Sequence, residues 1–278
     1  VGPAVCFVAS GAQLPWRPMT SILDQLTPLA RMRFMWKMGA RYEHIFLVSH
    51  MRSYSSLLSH LIGEHPEVNG YVEQQVGYPT EMDLVGMRIR TYELTGGQMN
   101  GKYLFDKILH NRLRIGAEVA ARSDVHLLLS IREPIAAVQS TVAMARKNHK
   151  PGWKGRVPKV AGYYRERMEG MVQMARARKD GDILFFQAER AVDNTAGLLA
   201  AIQRYLHLDT PFKESYTPQK LTGVGLFGDP SDYIKSGQVV KKRADHSGIE
   251  IPDAIRKELQ TSYEDTQQRL RRLCRHTF

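Results

Sequence analysis

Arg52 heads a polar run, Arg52, Ser53, Tyr54, Ser55 and Ser56, lying between the apolar stretch 45–48 and a segment with Leu57, Leu58, Leu61 and Ile62 at helical spacing. A strand, a tight loop and a helix start offer unpaired backbone N–H groups and a partial positive charge, which together make an anion site. Arg52 adds a permanent charge with a forked donor set, and the three serines add neutral donors. A second cation, Arg132, closes the apolar run "HLLLSI", and Ser140 follows it by eight residues, with Pro134 placed to open the helix between them. A nucleotide triphosphatase would need a Gly-rich loop ending in Lys and Ser or Thr, and none is present; nor does an apolar run end in an aspartate placed to hold magnesium. Two separate anion sites without a metal ligand point to a ligand with phosphates at both ends of a nucleoside.

The segments "HMRSYSSLL" with "HPEV", and "IREPIAAVQS" with its Arg132 and Ser140, resemble the sulfotransferase superfamily, over roughly residues 44–275 and on the side of the tyrosylprotein, carbohydrate and many bacterial enzymes. The resemblance implies an α/β sulfotransferase fold, a P-loop-like parallel sheet flanked by helices. The implied donor is 3′-phosphoadenosine 5′-phosphosulfate (PAPS), the product PAP, and no metal takes part. Arg52, Ser53, Tyr54, Ser55 and Ser56 would hold the 5′-phosphosulfate, and Arg132 with Ser140 the 3′-phosphate. "KSGQVVKKR" resembles the loop that closes over the nucleotide, which nominates Ser236, Gly237 and Lys241, with Lys242 and Arg243 beside them.

Two residues compete as the base that takes the acceptor proton. Glu73 lies 21 residues after Arg52, where the tyrosylprotein branch places its glutamate. His110 follows a lysine, as in the cytosolic branch, but three residues on, so that on an extended strand it faces away from Lys107. Lys107 resembles the family lysine that touches the transferring group. The chain departs from the pattern twice: Tyr54 stands where glycine is frequent, and Ala188 where relatives carry tyrosine.

These residues need elements to hold them. Apolar runs of strand length alternate with helical patterns near 55–64, 134–147 and 194–206, which is the signature of a parallel sheet with crossover helices. Residues 160–179 and 253–273 read as long amphipathic helices, and Asn111 as the cap of a helix over 112–122. Residues 1–42 form an arm, and 43–278 a single domain. The arm ends in "LARMRFMWKMGARY", which suits either a helix packed on the body with snorkelling basic stems or one touching a membrane surface. Loops are expected at 148–159 and 208–249, and the cationic segment 147–159 with its Trp153, together with 208–235 and its Phe227 and Tyr233, is where an acceptor pocket is expected.

The chain of 278 residues carries 39 Lys and Arg against 28 Asp and Glu, a net charge of +11. That excess favours anionic partners. The resulting expectation is an enzyme that moves a sulfuryl group to a hydroxyl acceptor, whether glycan, small molecule, lipid or peptide. The alternatives are a metal-dependent kinase-like phosphoryl transferase and a basic nucleic-acid-binding protein; no nucleic-acid module is recognisable. Cys6 and Cys274 are the only cysteines, no apolar run is long enough to span a bilayer, and the first residues lack the basic start of a signal peptide, so a cytoplasmic protein is expected.

Overall fold

The structure, a computed structural model, describes residues 27–147, 152–218, 232–241 and 244–278. Helix α1 (Pro28–Gly39) leads into strand β1 (Glu43–Val48), helix α2 (Ser55–Gly63) and strand β2 (Val68–Asn69). Helix α3 (Met82–Leu94), strand β3 (Tyr103–Ile108), the single turn α4 (Ala117–Ala120) and strand β4 (Val125–Ile131) follow. Then come α5 (Pro134–Lys147), a 3₁₀ turn (Gly152–Gly155), α6 (Val157–Ala177), β5 (Ile183–Gln187), α7 (Arg190–Asp193), α8 (Thr195–Tyr205), α9 (Asp232–Lys235), α10 (Asp253–Leu273) and β6 (His276–Thr277).

The six strands form one sheet in the order β2-β3-β1-β4-β5-β6, every pair parallel. Near-continuous apolar strands need cover on both faces, and alternate residues divide accordingly. Phe46, Val48, Leu104, Leu127 and Leu129 pack with α3, α5, α6 and α10; Ile45, Leu47, Phe105 and Leu128 pack with α2 and α8. The result is three layers. The chain leaves β3 on one side of central β1 and re-enters the sheet as β4 on the other, so the carboxyl ends of these three strands border the topological switch point. In open sheets of this kind that crevice is where ligands bind.

The expected strands at 45–48 and 126–131, the helix at 134–147 and the C-terminal helix at 253–273 are all present. Asn194 caps α8 by accepting from Gly197 N. The helix over 112–122 is not formed. Ile115 instead bridges to Tyr78, only α4 remains helical, and Asn111 Nδ2 donates to Tyr163 O (3.2 Å) rather than capping. Strand β3 carries no apolar signature in the sequence because Asp106 and Lys107 interrupt it, yet both are buried. On α1, Lys37 does not snorkel: its ammonium is buried, donating to Met99 O and to Asn100 Oδ1. Among the described residues no helix is long and apolar enough to cross a membrane. Cys274 is buried, which pushes its thiol up to about 12; Cys6 lies outside the described residues.

Candidate functional site

The loop after β1 is held from below by a serine lattice. Ser49 Oγ donates to Ser130 O on β4 (2.7 Å), Ser130 Oγ donates back to Ser49 Oγ (2.9 Å), and Ser53 Oγ donates to His50 O (2.7 Å). Ser53 and Ser55 are buried, and Ser56 Oγ accepts from Lys107 Nζ at 3.5 Å. Arg132 N donates to His50 Nε2 (2.9 Å), while His50 Nδ1 lies 2.9 Å from Met51 O. A proton on Nδ1 satisfies both contacts. Burial, chiefly, lowers the His50 pKa to about 3, so the ring stays neutral and clamps the β1 loop to the β4 loop.

Arg52 (φ 63°) and Tyr54 (φ 58°) both adopt the left-handed conformation. For a bulky residue that conformation is costly, on the order of 1–2 kcal/mol. The position where glycine is frequent does demand positive φ, and this chain meets the demand with tyrosine. The Tyr54 ring supports Arg132, whose Cζ lies 4.5 Å from the ring centroid, a cation–π contact. Arg132 Nη1 donates to Arg52 O (2.7 Å), and Arg52 Nε donates to Ser140 Oγ (3.0 Å). The two expected anion cradles thus join into one cationic cluster. His246 belongs to it, its pKa lowered by burial and then by the fields of Arg52 and Arg132.

Glu73 and His110, the two rival bases, stand together. Glu73 Oε1 lies 3.5 Å from His110 Nε2 and, although buried, makes no hydrogen bond among the described residues. Burial pushes the Glu73 carboxyl up to about 7, against the opposing pull of Lys107 and the added push of Asp106. Burial, then Lys154, Arg112 and Arg167, holds His110 down to about 4. Lys107 reaches Ser56 at the start of α2, whereas His110, two residues past the end of β3 at Ile108, meets α6. Its Nδ1 lies 3.0 Å from Tyr163 Oη on α6, and when that hydroxyl donates to Nδ1, Nε2 carries its proton toward Glu73.

Several residues of this region carry no motif. Asp106 Oδ2 accepts from Tyr78 Oη (2.6 Å) and Oδ1 from Gln74 N (2.9 Å), which fixes the backbone beside Glu73; burial raises its pKa to about 6. Arg167, buried on α6, donates through Nε to Ser49 O (2.6 Å) and through Nη2 to Ile108 O, tying the ends of β1 and β3 together. The signal was there: an arginine on the stripe formed by Tyr164, Met168 and Met171. Tyr164 Oη donates to Arg132 O (2.7 Å). Ala188 is fully buried, and its neighbour Glu189 accepts from Glu133 N (3.0 Å), joining the β4 and β5 loops. A cavity of about 590 Å³ opens beside Arg132, bordered by Gln139 of α5 and by His246.

The nominated closing loop is placed differently. Ser236 Oγ donates to Tyr233 O (2.6 Å), and Gly237, at φ 71°, accepts from Tyr216 N (2.9 Å). A Cβ at Gly237 would come within 2.7 Å of Tyr216 O, so glycine serves the turn. Tyr216 packs on His60 of α2 (5.1 Å between centroids), and Lys241 is exposed. Lys242, Arg243 and Phe227 lie outside the described residues. Trp153 stacks on Tyr163 (4.9 Å) with its ring partly exposed, beside Lys154, whose pKa burial lowers.

No protein-family model and no curated protein matches the chain. Solved structures do match. The sulfotransferase domain from the curacin biosynthetic pathway superposes with a TM-score of 0.59 at 14% identity, covering 82% of this chain and 99% of that one. The sulfotransferase domain from the Synechococcus PCC 7002 olefin synthase gives 0.55 at 16% identity, covering 82% and 96%. This chain has the sulfotransferase fold. Retinol dehydratase, solved in complex with retinol and PAP, aligns at 14% identity over 84% of this chain and 83% of that one; its TM-score of 0.43 adds nothing to the assignment. Within the sulfotransferase fold seen here, Arg52, Arg132, Ser140, Lys107, Glu73 and His110 all lie at or near the carboxyl end of the sheet.

Proposed function

We propose that this protein transfers the sulfuryl group of PAPS to a hydroxyl acceptor, with Glu73 as general base. The supporting observation is the joined cluster of Arg52, Arg132 and Ser140, linked through the α2 N-terminus to Lys107 beside a buried carboxyl whose pKa lies near neutrality. The cluster would grip the phosphates of the donor. The acceptor oxygen forms its bond to sulfur as the bond from sulfur to the bridging oxygen of the 5′-phosphate breaks. The acceptor proton passes to Glu73, leaving the sulfate ester and PAP. Lys107 and Ser56 would face the charge that develops at the bridging oxygen, where a preorganised donor acts most strongly. His110 acts as a positioning residue, turning Glu73 toward the acceptor. A base tuned close to the working pH is the most effective one.

Because Arg52 bonds Ser140, its larger role falls on donor binding. The test is calorimetric titration with adenosine 3′,5′-bisphosphate, set against ATP with magnesium. The bisphosphate should bind, and Arg132→Ala should abolish that binding. Binding of ATP with magnesium and not of the bisphosphate would refute the proposal.

A further inference from the structure

Half of the large apolar side chains left exposed among the described residues sit on the single helix α1: Leu29 (69%), Met32 (71%), Met35 (54%) and Trp36 (70%). At 3.6 residues per turn these four share an arc of about 120°. The opposite side of the helix is the anchored one. Phe34 is fully buried, 4.9 Å edge-on to Tyr92 and packed with Ile89 of α3, and Lys37 is buried against Met99 and Asn100. Arg31 and Arg33, both exposed, flank the apolar arc on its two sides, and the helix contains no Asp or Glu. An apolar face flanked by Arg31 and Arg33, on a helix fixed to the body by its back, is the arrangement of a segment lying in the plane of a bilayer interface.

We propose that α1 docks this protein on an anionic phospholipid surface. Leu29, Met32, Met35 and Trp36 enter the boundary of the acyl chains, and Arg31 and Arg33 meet headgroup phosphates. Charge complementarity selects this occupant over a second copy of the chain: two α1 faces brought together would set cations against cations, whereas an anionic leaflet neutralises them. The net charge of +11 acts in the same direction.

The test is co-sedimentation of the full chain with phosphatidylcholine vesicles, with and without about 30% phosphatidylserine, at roughly 0.1 M salt. Binding is expected only to the anionic vesicles, with a blue shift of tryptophan emission. The charge-neutral double substitution Met32→Ser/Trp36→Ser should weaken binding at least about tenfold, since insertion scales with buried apolar area. Arg31→Gln/Arg33→Gln should weaken it several-fold. All four side chains are exposed, so the melting temperature should be unchanged in both variants; the emission shift of the unaltered protein reports insertion without any variant. Absence of binding to anionic vesicles overturns the proposal, as does binding that survives Met32→Ser/Trp36→Ser, because net charge alone would then account for it. Lipid-free self-association abolished by that same substitution would assign the face to a second copy and would also overturn it.

Discussion

Glu73 is the residue whose chemistry is most exposed to test. Its folded pKa of about 7 stands above the ordinary carboxylate value of 4.5. A raised pKa on an acid means that the native state holds the proton more tightly than the unfolded chain. The stability that Glu73 contributes is therefore fully present below pH 4.5 and is lost as pH rises through 7, by on the order of 3 kcal/mol. Sulfuryl transfer should show an ascending limb centred near pH 7 as Glu73 ionises, measured as initial rates at saturating donor. Glu73→Gln should abolish transfer by at least about 10²-fold and remove that limb. It should also raise the melting temperature at pH 8, where the native glutamate is a buried anion. Full turnover in Glu73→Gln would eliminate the glutamate as base. Arg52 and Lys107 should separate kinetically. Lys107→Ala is expected to lower kcat by roughly 10²–10³ with donor affinity little changed, whereas Arg52→Ala should chiefly weaken donor binding.

At the scale of elements, the site depends on ties between strand ends. Helix α6 supplies them: Arg167 binds the carbonyls of Ser49 and Ile108, Tyr164 that of Arg132, and Tyr163 stands against His110. Burial lowers the Arg167 pKa to about 10, which still leaves it charged at neutral pH. Arg167→Lys keeps the charge but cannot reach both carbonyls in the same fork. One buried carbonyl is left unpaired, costing about 1–3 kcal/mol. A fall of several degrees in melting temperature is expected, with a drop in kcat of at least about tenfold from the loosened β1 and β3 ends. If kcat were unaffected despite the lower melting temperature, α6 would support the fold alone and not the geometry of the site.

At the scale of the molecule, the positive charge and the cluster at the sheet's carboxyl end would draw in the proposed anionic donor before it touches the protein. Association of adenosine 3′,5′-bisphosphate should slow about tenfold between roughly 0.05 and 0.5 M salt, followed by stopped-flow fluorescence. A flat dependence would mean that the cluster grips the nucleotide without attracting it. The three-layer body makes such a cluster possible. Its two faces are buried under helices, so the end of the sheet is the surface free to gather loops from β1, β2, β3 and β4.

The sequence by itself determined the sheet, because apolar runs without alternation need cover on both faces, and it nominated the loop at 52–56 and the Arg132–Ser140 pair, with Glu73 and Lys107 added by resemblance. Tertiary structure decided the rest. Strand β3 stayed hidden because Asp106 and Lys107, both buried, break the apolar run that would have announced it. Glu73 and His110, alternatives along the chain, stand 3.5 Å apart in the fold, with His110 two residues past the end of β3. Arg52 joined Ser140 across 88 residues, and Tyr54 took a left-handed turn with Arg132 stacked on its ring. Local patterns encode which segments are strands and helices; which side chains meet at the strand ends depends on strand order and on where each strand stops, and both emerge only when the layers pack.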